Sequence, residues 1–302
     1  MIVTVTLNPA VDHTLQVDAL PEPGQVARTG SAHLDAGGKG INVSKYLAEL
    51  GTETVATGFV GDVLGQFIRD RLDRAGIDRD FVEIGECTRL NTTILTGDEE
   101  YKINRHGPSV ESDALDDVVE TIAAYDPWLV LVAGSRPPGI GPAEIDRIAR
   151  AGPWRTAVDV DGETLSALEA DYALCKPNRE ELAVATDRPV ATLEECLAAA
   201  RSLRTQGFSR VAASLGADGA VMASDERTLH APALDVEVVD TVGAGDAFLA
   251  GALSRLDRGE SDRTALHAGV VAASRAVSVP GTDVPPFADR TLSDERVSIS
   301  VR

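Results

Sequence analysis

Lysine is nearly missing from this chain. Its 302 residues hold four (Lys39, Lys45, Lys102, Lys176) against 24 arginines, and 48 acidic residues oppose 28 Lys and Arg. The formal charge of −20 and pI near 4.6 exclude nucleic acid and anionic membrane surfaces as default partners, because both repel a strongly anionic protein. Cysteine is scarce too. Cys87, Cys175 and Cys196 are odd in number, far apart and without a C-x-x-C, so they read as small buried hydrophobes in a reducing compartment rather than a disulfide frame or zinc site. No stretch approaches the roughly 18 apolar residues that span a bilayer. The start, MIVTVTLNPAVD, lacks the charged, apolar character of a signal peptide. The expectation is a soluble, cytoplasmic protein with no membrane partner.

Several chemistries are missing as well. The five histidines are scattered and form no H-E-x-x-H, which removes metal-hydrolase chemistry, and no G-x-S-x-G offers a hydrolase nucleophile. The acidic residues form no terminal block, so an acidic tail is excluded. Dispersed carboxylates with little lysine look instead like a chain kept soluble in concentrated salt, where self-repulsion is screened. A hydrophobic share of 43% is ordinary for a globular chain and excludes wholesale disorder.

What is present is alternation. Ile2–Leu7 reads as a strand, Gly40–Leu50 as a helix stopped by Gly51, and Thr54–Val60 and Val63–Ala75 as the next strand and helix. From about residue 111 short apolar strands alternate with amphipathic helices, the pattern of a parallel sheet covered on both faces. Two stretches depart from it. Residues 15–34 hold short alternating runs broken by Pro21, Pro23 and Gly24, and 91–104 hold two strand-like runs joined by the acidic turn GDEE. Residues 1–302 therefore read as one α/β domain with a β lid built from about 14–34 and 88–104.

Ligands of open α/β sheets bind where strands end, so the loops after strands are the places to search. In Asp240-Thr241-Val242-Gly243-Ala244-Gly245-Asp246 two glycines let the backbone turn onto a ligand, and a helix N-terminus follows as an anion site. Asp246 there is either a base for a hydroxyl nucleophile or a plain N-cap, and the helix field makes it a weak base. It is not a dinucleotide fingerprint, since Phe248 stands at the third glycine position. Asp35-Ala36-Gly37-Gly38-Lys39-Gly40-Ile41-Asn42 has glycines, a lysine and a helix start but no Ser or Thr after the lysine, so it is not a Walker A loop. A composition that removes lysine from surfaces leaves it where a compact point charge is needed, which singles out Lys39 and Lys176. In Lys176-Pro177-Asn178-Arg179-Glu180-Glu181, Asn178 and Glu181 make either a capping box or the organisers of a magnesium ion and its waters. Asn8 and Asp12 flank Pro9 after the first strand; Gly134-Ser135-Arg136 and Ser214-Leu215-Gly216-Ala217-Asp218-Gly219 are further post-strand turns.

Together these segments resemble the signatures of the ribokinase-like, phosphofructokinase-B family of sugar kinases. DTVGAGDAFLAG is similar to its C-terminal signature, AGGKGINVSKYLAELG to its N-terminal one, KPNREEL to its N-x-x-E motif and ASLGADGA to its nucleotide loop. TLNPAVDHT, TRLN, KINRHGP and GSRPPG look like the hexulose-phosphate branch, and most like 1-phosphofructokinases. The resemblance implies a three-layer sandwich around a mostly parallel sheet with a small β lid. It implies Asp246 as base, with Gly243, Ala244 and Gly245 as the anion hole for the transferring phosphoryl group. Asp12, Gly38 and Asn42 would bind sugar hydroxyls. Lys39 and Arg89, with Lys102, Ser135 and Arg136, would hold the substrate's own phosphate. Lys176, Asn178, Ser214, Leu215, Gly216, Ala217, Asp218, Gly219 and Thr241 would line the ATP site. Asn178 and Glu181 would organise Mg2+ through water, and Asp240, Val242, Ala276, Val279 and Gly281 would surround K+. Apolar lid edges imply a homodimer paired through the lids.

The expected reaction is ATP-dependent phosphorylation of D-fructose 1-phosphate at its 6-hydroxyl. Fructose 6-phosphate or tagatose 6-phosphate kinases are the alternatives, and a non-catalytic sugar-phosphate sensor is an alternative of another class. Two departures from the family pattern bear on substrate choice: Arg105-His106 replaces an acidic-proline pair after KIN, and Arg136 replaces an apolar residue.

Overall fold

The computed structural model describes residues 1–97, 99–279, 281, 284–287 and 297–302. Asp98, within the acidic turn GDEE, lies outside the described residues. The chain opens with β1 (Ile2–Thr6), β2 (Ala10–Val17), β3 (Ser31–Gly37) and α1 (Lys39–Glu49). There follow β4 (Thr54–Val60), α2 (Asp62–Arg74), the two-residue strands β5 (Asp78–Arg79) and β6 (Val82–Glu83), then β7 (Arg89–Thr96) and β8 (Glu99–Ile103). Regular alternation then runs α3 (Ala114–Ala124), β9 (Leu129–Ala133), α4 (Pro142–Arg150), β10 (Arg155–Asp159), α5 (Gly162–Ala167), β11 (Leu174–Cys175), α6 (Arg179–Thr186), α7 (Leu193–Arg204) and β12 (Val211–Ser214). A hairpin of β13 (Ala220–Ala223) and β14 (Thr228–Ala231), the helices α8 (Ala244–Asp257) and α9 (Asp262–Ala276), and β15 (Ser300–Val301) complete it.

The main sheet runs β15-β14-β13-β12-β11-β10-β9-β1-β4-β5, with β6 also on β4. Pairings from β12 to β5 are parallel; those among β12, β13, β14 and β15 are antiparallel. Period-two alternation decides which helices cover which face. Val130 and Val132 pack with Leu115, Ile145, Leu182 and Leu203 of α3, α4, α6 and α7. Leu129 and Leu131 pack with Leu47, Phe248, Leu253 and Leu266 of α1, α8 and α9. Helices, sheet and helices make the three layers that the resemblance implies.

The second sheet has order β3-β2-β7-β8 and stands apart as the lid, with α2 and Ile41 packed beneath Val11 and Ala36. Its first strands begin earlier than expected, at Ala10 rather than near residue 14, and residues 18–30 between them are largely exposed non-strand chain. The lid thus grows directly out of β1, and Asp12 lies on a lid strand rather than in a loop.

Candidate active site

Asp246 sits in the first turn of α8, and Gly243 is that helix's N-cap with φ of 77°, a left-handed conformation that favours glycine. The carboxylate is only 7% exposed, and it accepts a hydrogen bond from Asn42 Nδ2 at 2.9 Å. Burial, and next the nearby Asp159 charge, push its pKa up to about 6, while Asn42, Lys39 and Lys176 pull the other way. The weak base expected from the helix field is therefore corrected. Desolvation outweighs the dipole, and Asp246 is a stronger base than an exposed carboxylate.

Two lysines flank it through one carboxylate. Asp159, fully buried at the end of β10, accepts from Lys39 Nζ at 2.7 Å on Oδ1 and faces Lys176 Nζ at 3.2 Å on Oδ2. Lys39 Nζ also lies 3.7 Å from Glu181 Oε1. Burial would lower the Lys39 pKa, but Asp159 and Glu181 outweigh it and hold the ammonium well above its ordinary range. Glu181 is shared: its Oε2 accepts from Asn178 N at 2.8 Å while its own N–H donates to Asn178 Oδ1, so the capping box is real. A carboxylate with one oxygen in a cap and the other facing Lys39 fits an ion held through water and nucleotide phosphates, not a protein cage. No group of three or more metal-ligating side chains is found among the described residues.

The lid side forms a second cluster. Asp12 accepts from Asn91 Nδ2 at 3.0 Å, and burial raises its pKa against Asn91, Arg89 and Lys45. A side chain at Gly37 would occupy the place of the Asp12 carboxylate and push it aside, so the glycine lets Asp12 keep this position. Arg89 donates to the Asn8 carbonyl at 2.9 Å and to Ser135 Oγ at 3.0 Å. Asn8 is 2% exposed and its Nδ2 reaches the His106 carbonyl at 2.9 Å and the Arg136 carbonyl at 3.3 Å. One side chain therefore ties the lid exit to the turn after β9.

Beside the first turns of α8 an open cleft of about 930 Å³ is lined by Asn178, Ser214, Leu215, Gly216, Ala217, Gly219, Thr241, Ala244 and Gly245. A parallel bridge between Asn178 and Ser214 brings the two motif loops together. Asp240, beside this cleft, accepts from Val242 N at 3.0 Å and from Gly281 N at 2.9 Å, and its own N–H donates to the Val277 carbonyl at 3.2 Å. The stretch holding Ala276, Val279 and Gly281 is thereby brought against the loop of Val242.

Not every expected residue converges. Lys102 lies on the exposed strand β8, 3.0 Å from Glu100. The Arg136 guanidinium donates to Thr164 Oγ1 at 3.0 Å and the Ile140 carbonyl at 3.1 Å, at the start of α5, so it is not brought to Arg89. Lys39 meets Asp159 and Glu181 instead of Arg89. Asp218 pairs with Arg179 and, like Lys176, is not among the residues lining the cleft. Missed from sequence were Asp159, Lys45, the tying role of Asn8, and the apolar wall of Val236, Val238, Val270 and Val277. Asp159, the last residue of β10, carries no sequence signal that separates it from other strand-terminal carboxylates.

Comparison with known proteins agrees with this geometry. Residues 5–288 match the pfkB family carbohydrate kinase model. The chain is 52% identical over 300 residues to the 1-phosphofructokinase of Haloferax volcanii, covering 99% of this chain and 98% of that one. It is 33% identical over 305 residues to the D-tagatose-1-phosphate kinase of Bacillus licheniformis, covering 99% of both. Phosphofructokinase-2 from Escherichia coli, in complex with potassium, superposes with a TM-score of 0.89 at 26% identity over 97% of this chain and 96% of that one. A cleft that reaches Gly245, next to the buried Asp246, and above all a family match over nearly the whole length place this chain in the pfkB family of carbohydrate kinases.

Proposed function

We propose that the protein transfers the γ-phosphoryl group of ATP to the 6-hydroxyl of D-fructose 1-phosphate. The observation that carries this reading is Asp246, a buried carboxylate with pKa near 6 that is bonded to Asn42 and follows Gly245 in the wall of the cleft. A sugar bound by Asp12, Gly38 and Asn42 would offer its hydroxyl to Asp246, while Arg89 with Ser135 would hold the phosphate at the far end. Lys39 and Lys176, both acting on the Asp246 charge, suit the phosphoryl group in transit better than the substrate's own phosphate. Phosphoryl transfer has a loose transition state, so fixed charges and first-turn N–H groups at Gly243, Ala244 and Gly245 carry most of the catalysis. Asn178 and Glu181 would hold Mg2+ through its waters, and the ion would supply neutralisation of the nucleotide's phosphate charge. The lid excludes water and so suppresses ATP hydrolysis.

Names of relatives favour a 1-phosphate: the Haloferax volcanii protein is a 1-phosphofructokinase and the Bacillus licheniformis protein a D-tagatose-1-phosphate kinase. One observation keeps a second reading open, since a structural neighbour at 26% identity is phosphofructokinase-2 in complex with fructose-6-phosphate. Steady-state kinetics on fructose 1-phosphate, fructose 6-phosphate, tagatose 1-phosphate and tagatose 6-phosphate decide between them. The highest kcat/KM on fructose 1-phosphate is expected; an equal or higher value on another sugar would overturn the assignment.

Exposed Leu34, Tyr101 and Ile103 on the outer lid strands support a homodimer paired through the lids, and analytical ultracentrifugation of the protein tests it.

A further inference from the structure

Lys45 lies within the N-terminal signature, but the reading above gives it no role. It stands three residues after Asn42 on α1, so the two side chains share one helix face. Its ammonium donates to the Ala36 carbonyl at 2.8 Å, lies 3.6 Å from Asp35 Oδ2, and reaches Asn42 Oδ1 at 3.5 Å. The side chain is only 13% exposed. Asp35 and Ala36 are lid residues on β3, so this cation spans from the lid to the helix that carries Asn42.

The Asn42 amide therefore lies between opposite charges. Its NH2 faces the Asp246 carboxylate and its oxygen faces the Lys45 ammonium. Turning the amide over would set oxygen against carboxylate and NH2 against ammonium, two repulsive contacts in a buried place. While Asp246 is ionised, both neighbours hold the orientation. Once Asp246 has taken the hydroxyl proton, its hold on the amide weakens and Lys45 keeps it. The same cation serves a second pair. Asp12 and Asp35 stand directly opposite each other on β2 and β3, an arrangement that costs stability when both are charged. Lys45 lies 3.6 Å from Asp35, and its charge acts on Asp12 as well.

We infer that Lys45 is a positioning residue of the sugar site: it keeps Asn42 turned toward Asp246 and lets Asp12 and Asp35 face each other across the lid. This rests on the reading of Asp246 as base.

The test is a double-mutant cycle. Lys45→Met, Lys45→Gln and Lys45→Arg are made in the wild type, and Lys45→Met also in an Asn42→Ala background. For each, kcat, KM for the preferred sugar phosphate, KM for ATP and Tm are measured. Lys45→Met is expected to lower kcat about tenfold and raise the sugar-phosphate KM, with the ATP KM unchanged; Lys45→Arg should recover most of the loss. In the Asn42→Ala background the kcat loss from Lys45→Met should shrink below about twofold. A full tenfold loss in that background, or a fall in Tm with kcat and KM unchanged, would overturn the inference. Should Lys45→Met fail to fold, Lys45→Gln, which keeps a donor without the charge, is read against the same outcomes. Failure of the base reading shows separately, as turnover that survives in Asp246→Asn.

Discussion

Asn42 and Asp246 are 204 positions apart in sequence and joined by one buried hydrogen bond of 2.9 Å. Each stands near the start of a helix, α1 or α8, that follows a glycine-rich turn. The two helices pack on the same face of the main sheet, so their N-termini converge where its strands end. This contact fixes Asp246 relative to the lid, because α1 begins two residues after lid strand β3.

Replacing Asp246 by Asn keeps shape and removes the base. Turnover should fall by about 10²–10⁴, the usual contribution of a positioned general base. Sugar-phosphate affinity should change little, since Asp12, Arg89 and Ser135 do not touch Asp246. Titration calorimetry beside steady-state rates checks both parts, and a rate within tenfold of the wild type would remove Asp246 from the base role.

A base with pKa near 6 predicts the acid side of the pH profile: kcat/KM should fall below about pH 6 as Asp246 takes up a proton. Its neighbours move that limb in opposite directions. Asn42→Ala removes a bond to the charged form and should raise the midpoint; Asp159→Asn removes a repelling charge and should lower it. Stability carries a matching sign. Because the folded pKa lies above the ordinary 3.8, this group's contribution is fully present below that value and lost as pH rises through about 6. Midpoints that shift together in both variants would contradict this account.

Asp159→Asn has a further consequence. It leaves the Lys176 ammonium, only 4% exposed, without its carboxylate, and breaking a buried pair from one side costs about 3–5 kcal/mol. A marked drop in denaturant midpoint at pH 7.5 is expected. A nearly unchanged midpoint would mean that water or another group takes over the carboxylate's place.

Much of this architecture was legible because each element carries its own period. β4 begins and ends where its apolar run puts it, at Thr54 and Val60, and the alternation after residue 111 matches the covered parallel sheet. The failures are contacts between distant residues. Asp159 looks like any strand-terminal carboxylate until Lys39, 120 positions away, closes on it. Helix position told the local field on Asp246, but only packing told its burial, and burial decided the sign. The resemblance implies Arg136 and Lys102 as phosphate ligands, but it says nothing of the partners that the structure gives them, Thr164 for Arg136 and Glu100 for Lys102. The six-residue helix α5 is too short for its periodicity to show.

Those partners separate the cations by experiment. Arg89→Met should raise the sugar-phosphate KM at least tenfold, since hydrogen bonds to charged groups contribute about 1.5–3 kcal/mol. Lys102→Ala should stay within about twofold, because exposed ion pairs are worth little. Arg136→Met should act on stability through Thr164 and Ile140 with little change in KM. A KM rise in Lys102→Ala equal to that in Arg89→Met would restore Lys102 to the phosphate site.

Salt should act on this protein in two separable ways. The charge of −20 produces self-repulsion that any monovalent salt screens, so Tm should rise with NaCl and KCl alike. A potassium effect would be specific and local. Asp240 fastens the loop of Val242 to Gly281 through two N–H bonds, and that loop runs into Gly243, part of the proposed anion hole. An ion held there would stiffen the anion hole and so raise kcat in KCl above that in NaCl at equal ionic strength. Asp240→Ala should abolish the difference between the two salts while leaving the shared rise in Tm, because one carboxylate among 48 acidic residues hardly alters the net charge. Equal rates in the two salts for the wild type would dismiss the potassium site, and a Tm that ignores both salts would dismiss self-repulsion as the reason the surface is acidic.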